Sequence, residues 1–316
     1  MIDYRSFRNS DPPHLAGIWR MHSGLRGYAQ PMSAALLERM VFSKPYFDKH
    51  GLIVATEDDQ PIGFGHAGFG PTQDEAELDY EFGASIMTIV APHPDEAEIG
   101  SALIARCEAY LSGQGAKVLY GGGIKPLNSF YLGLYGGSEL PGILDTDSQH
   151  QAFFRDAGYR EIDRTVVFHR ELSGYRPVID RQQMLLRRRT DIEITFDPSG
   201  RSWWESCTFG NISRVKYSLR MKGETTPIAE ATLIDMEAFS QTWGVRTAGL
   251  TDVEVCTTHR RQGMAACLLC EILRQAADQG VALVEVQTMQ QNSAAIALYK
   301  KLGFHQADSG AVFRKE

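Results

Sequence analysis

A chain of 316 residues, 43% hydrophobic and 22% charged, has ordinary globular composition and is long enough for two domains. No apolar run approaches the ~18 residues of a membrane span, no leader is visible at Met1–Arg5, and five scattered cysteines (107, 207, 256, 267, 270) make no disulfide scaffold, so a cytoplasmic, non-membrane protein is expected. The net charge of −7 is uneven, with 14 Lys+Arg against 23 Asp+Glu in residues 1–172 and 18 against 16 in residues 173–316; neither half offers the basic face that nucleic acid needs.

Along the chain, Leu52 to Phe69 reads as a strand, a polar turn and a second strand, followed by an acidic loop at Asp74–Glu81 and a β-prone run at Ala84–Val90. Asp95 to Ser112 has helical spacing at Ile99, Leu103, Cys107 and Leu111. Val118–Tyr120 then begins a short strand. The second half repeats this order: a hairpin around Lys222-Gly223-Glu224, a strand at Asp252–Cys256, a helix over Gly263–Gln279 and a strand at Ala282–Thr288. Each half closes with a helix ending in Gly158-Tyr159 or Gly303-Phe304, then a last strand at Thr165–His169 or Ala311–Arg314. The chain reads as an internal duplication of an α+β unit. Glu171 to Arg189, with the run Arg187-Arg188-Arg189, is the connector, and the boundary falls near residue 180.

In the second half the strand at Asp252–Cys256 leads through Thr257-Thr258-His259 into Arg260-Arg261-Gln262-Gly263-Met264-Ala265-Ala266 and an apolar helix. A helix start presents unpaired N–H groups and a positive dipole end, which suits a pyrophosphate. Gly263 and Ala265 leave room, and Arg260 and Arg261 add charge. Downstream, Asn292 and Tyr299 stand two helical turns apart, before Gly303-Phe304. With these residues the sequence resembles the GNAT superfamily of acyl-CoA N-acyltransferases, over roughly residues 190–316. The resemblance implies two tandem GNAT-like domains, each a mixed, mostly antiparallel twisted sheet with flanking helices: a degenerate copy in 1–172, a linker in 173–189 and the transferase in 190–316. The layout is similar to that of the mycothiol synthases, whose active transferase is the second half.

The resemblance further implies that Val253, Glu254 and Val255 bond the pantetheine arm of acetyl-CoA, that Arg260 to Ala266 hold its pyrophosphate, and that Asn292 contacts the arm or nearby backbone. No metal is implied. A phenol can protonate a departing thiolate, so Tyr299 is the expected general acid. Glu254 or Asp252, read as sharing one strand face, is the expected base, and Glu254 is the residue singled out. Cys256 reads as a small buried residue, and Cys267-Leu-Leu-Cys270 as an apolar helix face.

Aligned at Val90 and Val255, the first half puts Asp95, Glu98 and Gly100 opposite Arg260, Gly263 and Ala265, which repels a pyrophosphate. Asn128 to Tyr135 keeps the Asn-to-Tyr spacing, before an insertion opening at Gly136-Gly137. That insertion shapes an acceptor cleft or is a packing loop. Trp203 and Trp204 are either core or part of that cleft. The expected reaction is acetyl transfer to a primary amine, small-molecule or peptide, by a monomeric pseudo-dimer or a homodimer. The alternatives are an acyl-CoA sensor without catalysis, or acetylation of a sugar-linked cysteine as in the mycothiol synthases.

Overall fold

The computed structural model describes residues 1–177 and 181–316; Asp180, where the boundary is expected, lies outside the described residues. In the first half β1 (Ile2–Ser6) leads into α1 (Pro12–Arg20) and α2 (Ala34–Leu37), then into β2 (Leu52–Glu57), β3 (Gln60–Pro71) and β4 (Leu78–Val90). It continues through α3 (Glu96–Gly113), β5 (Val118–Gly121), β6 (Ile143–Leu144), α4 (Ser148–Asp156) and β7 (Arg160–Glu171). The second half runs α5 (Arg181–Arg189), β8 (Thr190–Phe196), α6 (Trp203–Phe209), β9 (Arg214–Met221), β10 (Pro227–Asp235) and α7 (Glu237–Trp243). β11 (Thr247–Val255), α8 (Met264–Asp278), β12 (Leu283–Met289), α9 (Ser293–Lys301) and β13 (His305–Lys315) follow. The fold is α+β, and no helix among the described residues is long and apolar enough to cross a membrane.

A single sheet carries both halves, in the order β1-β2-β3-β4-β5-β13-β7-β12-β11-β10-β9-β8. Read from either end the order is the same, which is the internal duplication seen in space. The β4/β5 and β11/β12 pairs are parallel and the others antiparallel. The closing strands are exchanged. β13 pairs with β5 of the first half, β7 pairs with β12 of the second, and the two exchanged strands pair with each other along the seam. The hydrophobic clusters follow the exchange: Ala311 and Phe313 are buried among first-half side chains, and Val166 and Phe168 among second-half ones.

Other contacts cross the seam. Trp204 stacks on Tyr46 at 4.9 Å and is buried, so it packs between the halves, while Trp203 stays exposed. The buried Lys44 ammonium donates to the carbonyls of Cys207 and Thr208, filling positions that the C-terminus of α6 leaves unpaired. The acidic loop docks here too, with Ser202 bonded to Glu75 at the start of α6.

Candidate functional site

β11 pairs with β12 only from Thr247 to Leu250. From Thr251 onward it is bonded to β10 alone, so its other edge presents unpaired backbone groups. Asp252 and Val253 together stand opposite Ala231, and Asp252 has φ +50°, a β-bulge that bends the strand. Simple alternation of faces therefore fails here, and Asp252 and Glu254 are not the matched pair expected from the sequence. Asp252 is bound instead by Lys125 of the first half, at 2.8 Å.

The open edge borders a cleft of about 1170 Å³. Val253, Glu254 and Val255 form one wall. Arg260, Arg261, Gly263 to Ala266, Asn292 and Tyr299 line the cleft as well. Of the expected residues, Asp252 and Gln262 are absent from the lining: the Gln262 side chain donates to the Thr258 carbonyl, and its own carbonyl accepts from Gln182 of α5. Gly263 begins α8 at φ +83°, a conformation that L side chains resist, and no side chain caps the helix. The first-turn N–H groups of α8 are thus left to an anion, with Arg260 folded back onto the Val255 carbonyl at 3.1 Å. Asn292 caps α9, accepting from the Ala295 N–H at 3.1 Å. Thus it holds the helix that carries Tyr299.

Tyr299 is 4% exposed. Burial, and after it the carboxylate of Glu139, push its phenol well above the ordinary value, so the hydroxyl keeps its proton throughout the neutral range. No neighbouring group lowers it. Glu254 is exposed on β11. Cys256, expected to be buried, is exposed at the end of the strand, and hydrogen bonds from Thr258 bring its thiol down to about 7. Cys267 and Cys270 are buried on α8.

Sequence reasoning passed over Glu139, which the first-half insertion carries. Residues 136–139 lie across β11 and β12 where their pairing ends. Ser138 N–H donates to the buried Glu285 carboxylate at 2.7 Å, and Gln287 donates to the carbonyls of Gly136 and Glu139 at 3.1 and 3.0 Å. A Cβ on Gly137 would overlap Glu285, and one on Gly249 would overlap Ser138, so the loop is pressed flat onto the sheet. The half-buried Glu139 carboxylate takes no hydrogen bond or ion pair from the described residues. Burial and then Asp252 push it up to about 7, with Lys125 opposing.

The corresponding place in the first half is filled. Asn128 to Tyr135 is not helical; the helix before the closing strand is α4, which Asp147 caps. Asp147, Phe154, Gly158 and Tyr159 therefore correspond in spacing to Asn292, Tyr299, Gly303 and Phe304, and the insertion precedes this helix rather than interrupting it. Phe154 has no hydroxyl to give. Phe153 packs against Gly100, where any Cβ would collide with its ring. The N–H of Thr88, the counterpart of Val253, is bonded by the buried His150 at 3.2 Å. Side chains of α4 thus occupy the groove, behind an α3 start that carries Glu96 and Glu98.

The acetyltransferase (GNAT) family profile matches residues 200–304, which include the whole cleft loop and α9. No curated protein matches the chain in sequence. Among solved structures, a tandem GNAT protein from the clavulanic acid biosynthesis pathway superposes with a TM-score of 0.68 at 13% identity, over 100% of this chain and 98% of that one. A GCN5-related N-acetyltransferase from Sphaerobacter thermophilus gives 0.63 at 15%, over 100% and 95%. A fungal multi-domain GH3 β-N-acetylglucosaminidase with a GCN5-related glucosamine N-acetyltransferase region gives 0.69 at 17%; all of this chain matches 38% of that one. At these identities the likeness is one of fold.

Proposed function

Residues 200–304 belong to the GNAT family of acetyltransferases, within a chain of tandem GNAT layout, and from that premise we propose that the second half transfers acetyl from acetyl-CoA to a primary amine by direct attack. The observation that carries this reading is the open edge of β11 leading to the uncapped start of α8, in a cleft that the first half has filled. The backbone of Val253 to Val255 bonds the pantetheine arm as an added strand would, and the Arg260–Ala266 loop takes the pyrophosphate. A backbone N–H of the same edge stabilises the oxyanion formed when the amine adds to the thioester. Tyr299, whose phenol stays protonated, donates to the departing sulfur. The amine's proton goes to a carboxylate, either the exposed Glu254 of the cleft wall or one supplied by the first half.

Tyr299→Phe tests the reading. With acetyl-CoA and a panel of primary amines, its kcat should fall about 10²-fold, the usual contribution of a positioned acid, while the affinity for acetyl-CoA changes less than threefold. Unchanged turnover would remove Tyr299 from the chemistry. Acetyl-CoA binding without turnover of any amine by the natural chain would favour a sensor.

A further inference from the structure

We propose that Glu139, a residue of the first half, is the base that takes the proton of the nucleophile in the second half's acyl transfer. The inference rests on the reading above and names the part that reading leaves open.

The geometry comes from the insertion. It is pinned by Glu285 and Gln287 of β12 at the point where β11 and β12 part. Its Gly137 and Ser138 lie so close to Glu285 and Gly249 that no added side chain fits between loop and sheet. This sets the Glu139 backbone where β11 and β12 part, outside the residues that line the cleft, with its carboxylate in electrostatic reach of Asp252 and of the Tyr299 phenol. Glu254, by contrast, lies further along β11, exposed and across from Glu230.

The titratable groups facing Glu139 are Asp252 on β11, Lys125 in the loop after β5, Glu285 on β12 and the neutral Tyr299 phenol on α9. Asp252 and Glu285 raise its affinity for a proton, and Lys125 lowers it. With burial they bring the carboxyl to about 7, where a base is both substantially ionised and strong enough to accept a proton near neutrality. An unpaired carboxylate at that value is an expensive group to keep unless it works.

The step balances. The amine nitrogen bonds to the carbonyl carbon and its proton passes to Glu139. The C–S bond breaks, and the sulfur takes the electron pair and the Tyr299 proton. The proton held by Glu139 restores the phenol through solvent, giving amide and thiol with nothing left over.

The test follows thiol release from acetyl-CoA by the full chain, with methylamine, spermidine and water alone as nucleophiles, between pH 5.5 and 9. The natural chain should show a rising limb near pH 7 in kcat with each nucleophile it turns over, water included. Glu139→Gln should lose that limb and at least tenfold in kcat, at unchanged acetyl-CoA affinity; Glu254→Gln should keep the limb. Lys125→Met should move the limb upward, a displacement that a merely structural role for the loop would not produce. A limb that survives Glu139→Gln, vanishes in Glu254→Gln, or is missing from the natural chain overturns the proposal. Activity lost in Tyr299→Phe and kept in Glu139→Gln sinks this inference alone, whereas no thiol release from any nucleophile sinks it together with the acyl-transfer reading.

Discussion

Ala265 and Gly100 are aligned residues near the start of equivalent helices, α8 and α3, yet one borders a cleft and the other is covered by the ring of Phe153. What separates the two halves chemically is a handful of such side chains. An acid in a helix's first turn favours the helix and repels a pyrophosphate at the same place. Ala265→Glu therefore separates folding from binding: its melting temperature should match or slightly exceed that of the natural chain, while its affinity for CoA falls more than tenfold by calorimetry. Weak binding with lowered melting would point to damaged packing instead. The proposed protonation of Glu139 has a stability consequence as well. A carboxyl whose folded value lies above its unfolded value binds its proton more tightly when folded. The contribution is thus full below the ordinary carboxylate range and is lost as pH rises toward about 7. Glu139→Gln should flatten this decline in chemical denaturation between pH 4.5 and 7.5, and an unaltered decline would assign it to other groups.

At the scale of elements, the hairpin β9–β10, the loop before α8 and the Asn292–Phe304 segment were legible because each is written in local spacing. Turn residues, apolar periodicity and a glycine-bounded helix start need no distant partner. The first half's last helix was read correctly as ending at Gly158-Tyr159, but the counterpart of the Asn292–Tyr299 pair was misplaced, because Asn128 and Tyr135 reproduce its spacing by coincidence. Counting back from Gly158-Tyr159 finds Phe154 and Asp147 at the right separations, and that signal was present. The role of the insertion was not legible, since nothing in its aromatic and glycine residues says which strand it will cover. Its rigidity now makes a prediction. Gly137 has φ +121° and faces Glu285, so Gly137→Ala should cost ~2–4 kcal/mol by combining backbone strain with overpacking. It should also lower kcat more than acetyl-CoA affinity, because it moves the acceptor side and spares the loop before α8. Stability within 0.5 kcal/mol of the natural chain, on the order of a neutral surface change, would show that the loop is free to shift.

The whole molecule is a duplication whose copies cannot be separated by cutting the chain between them. Similar closing strands follow similar helices in the two halves, so the sequence does not say which strand joins which sheet, and only the pairing of β13 with β5 and β7 with β12 reveals the exchange. Residues 1–172 expressed alone would expose the edge of β5 and leave β7 without β12, and residues 181–316 would lose β7 and the packing of Phe168. Each fragment should therefore be aggregated or largely unfolded by circular dichroism and size exclusion, and co-expression should recover a single compact species. A C-terminal fragment that folds cooperatively alone would contradict the structural role of the exchange. The division of labour also accounts for the charge. Part of the first half's acidity, at Asp95, Glu96 and Glu98, lies where a phosphate loop would be, while Arg260 and Arg261 flank the working one. One cleft per chain, in the second half, is the central claim. Calorimetric titration of the full chain with acetyl-CoA tests it most directly: one equivalent should bind to the natural chain and bind more than tenfold more weakly to Ala265→Glu, whereas two equivalents, or one whose affinity is unchanged by the substitution, would contradict it.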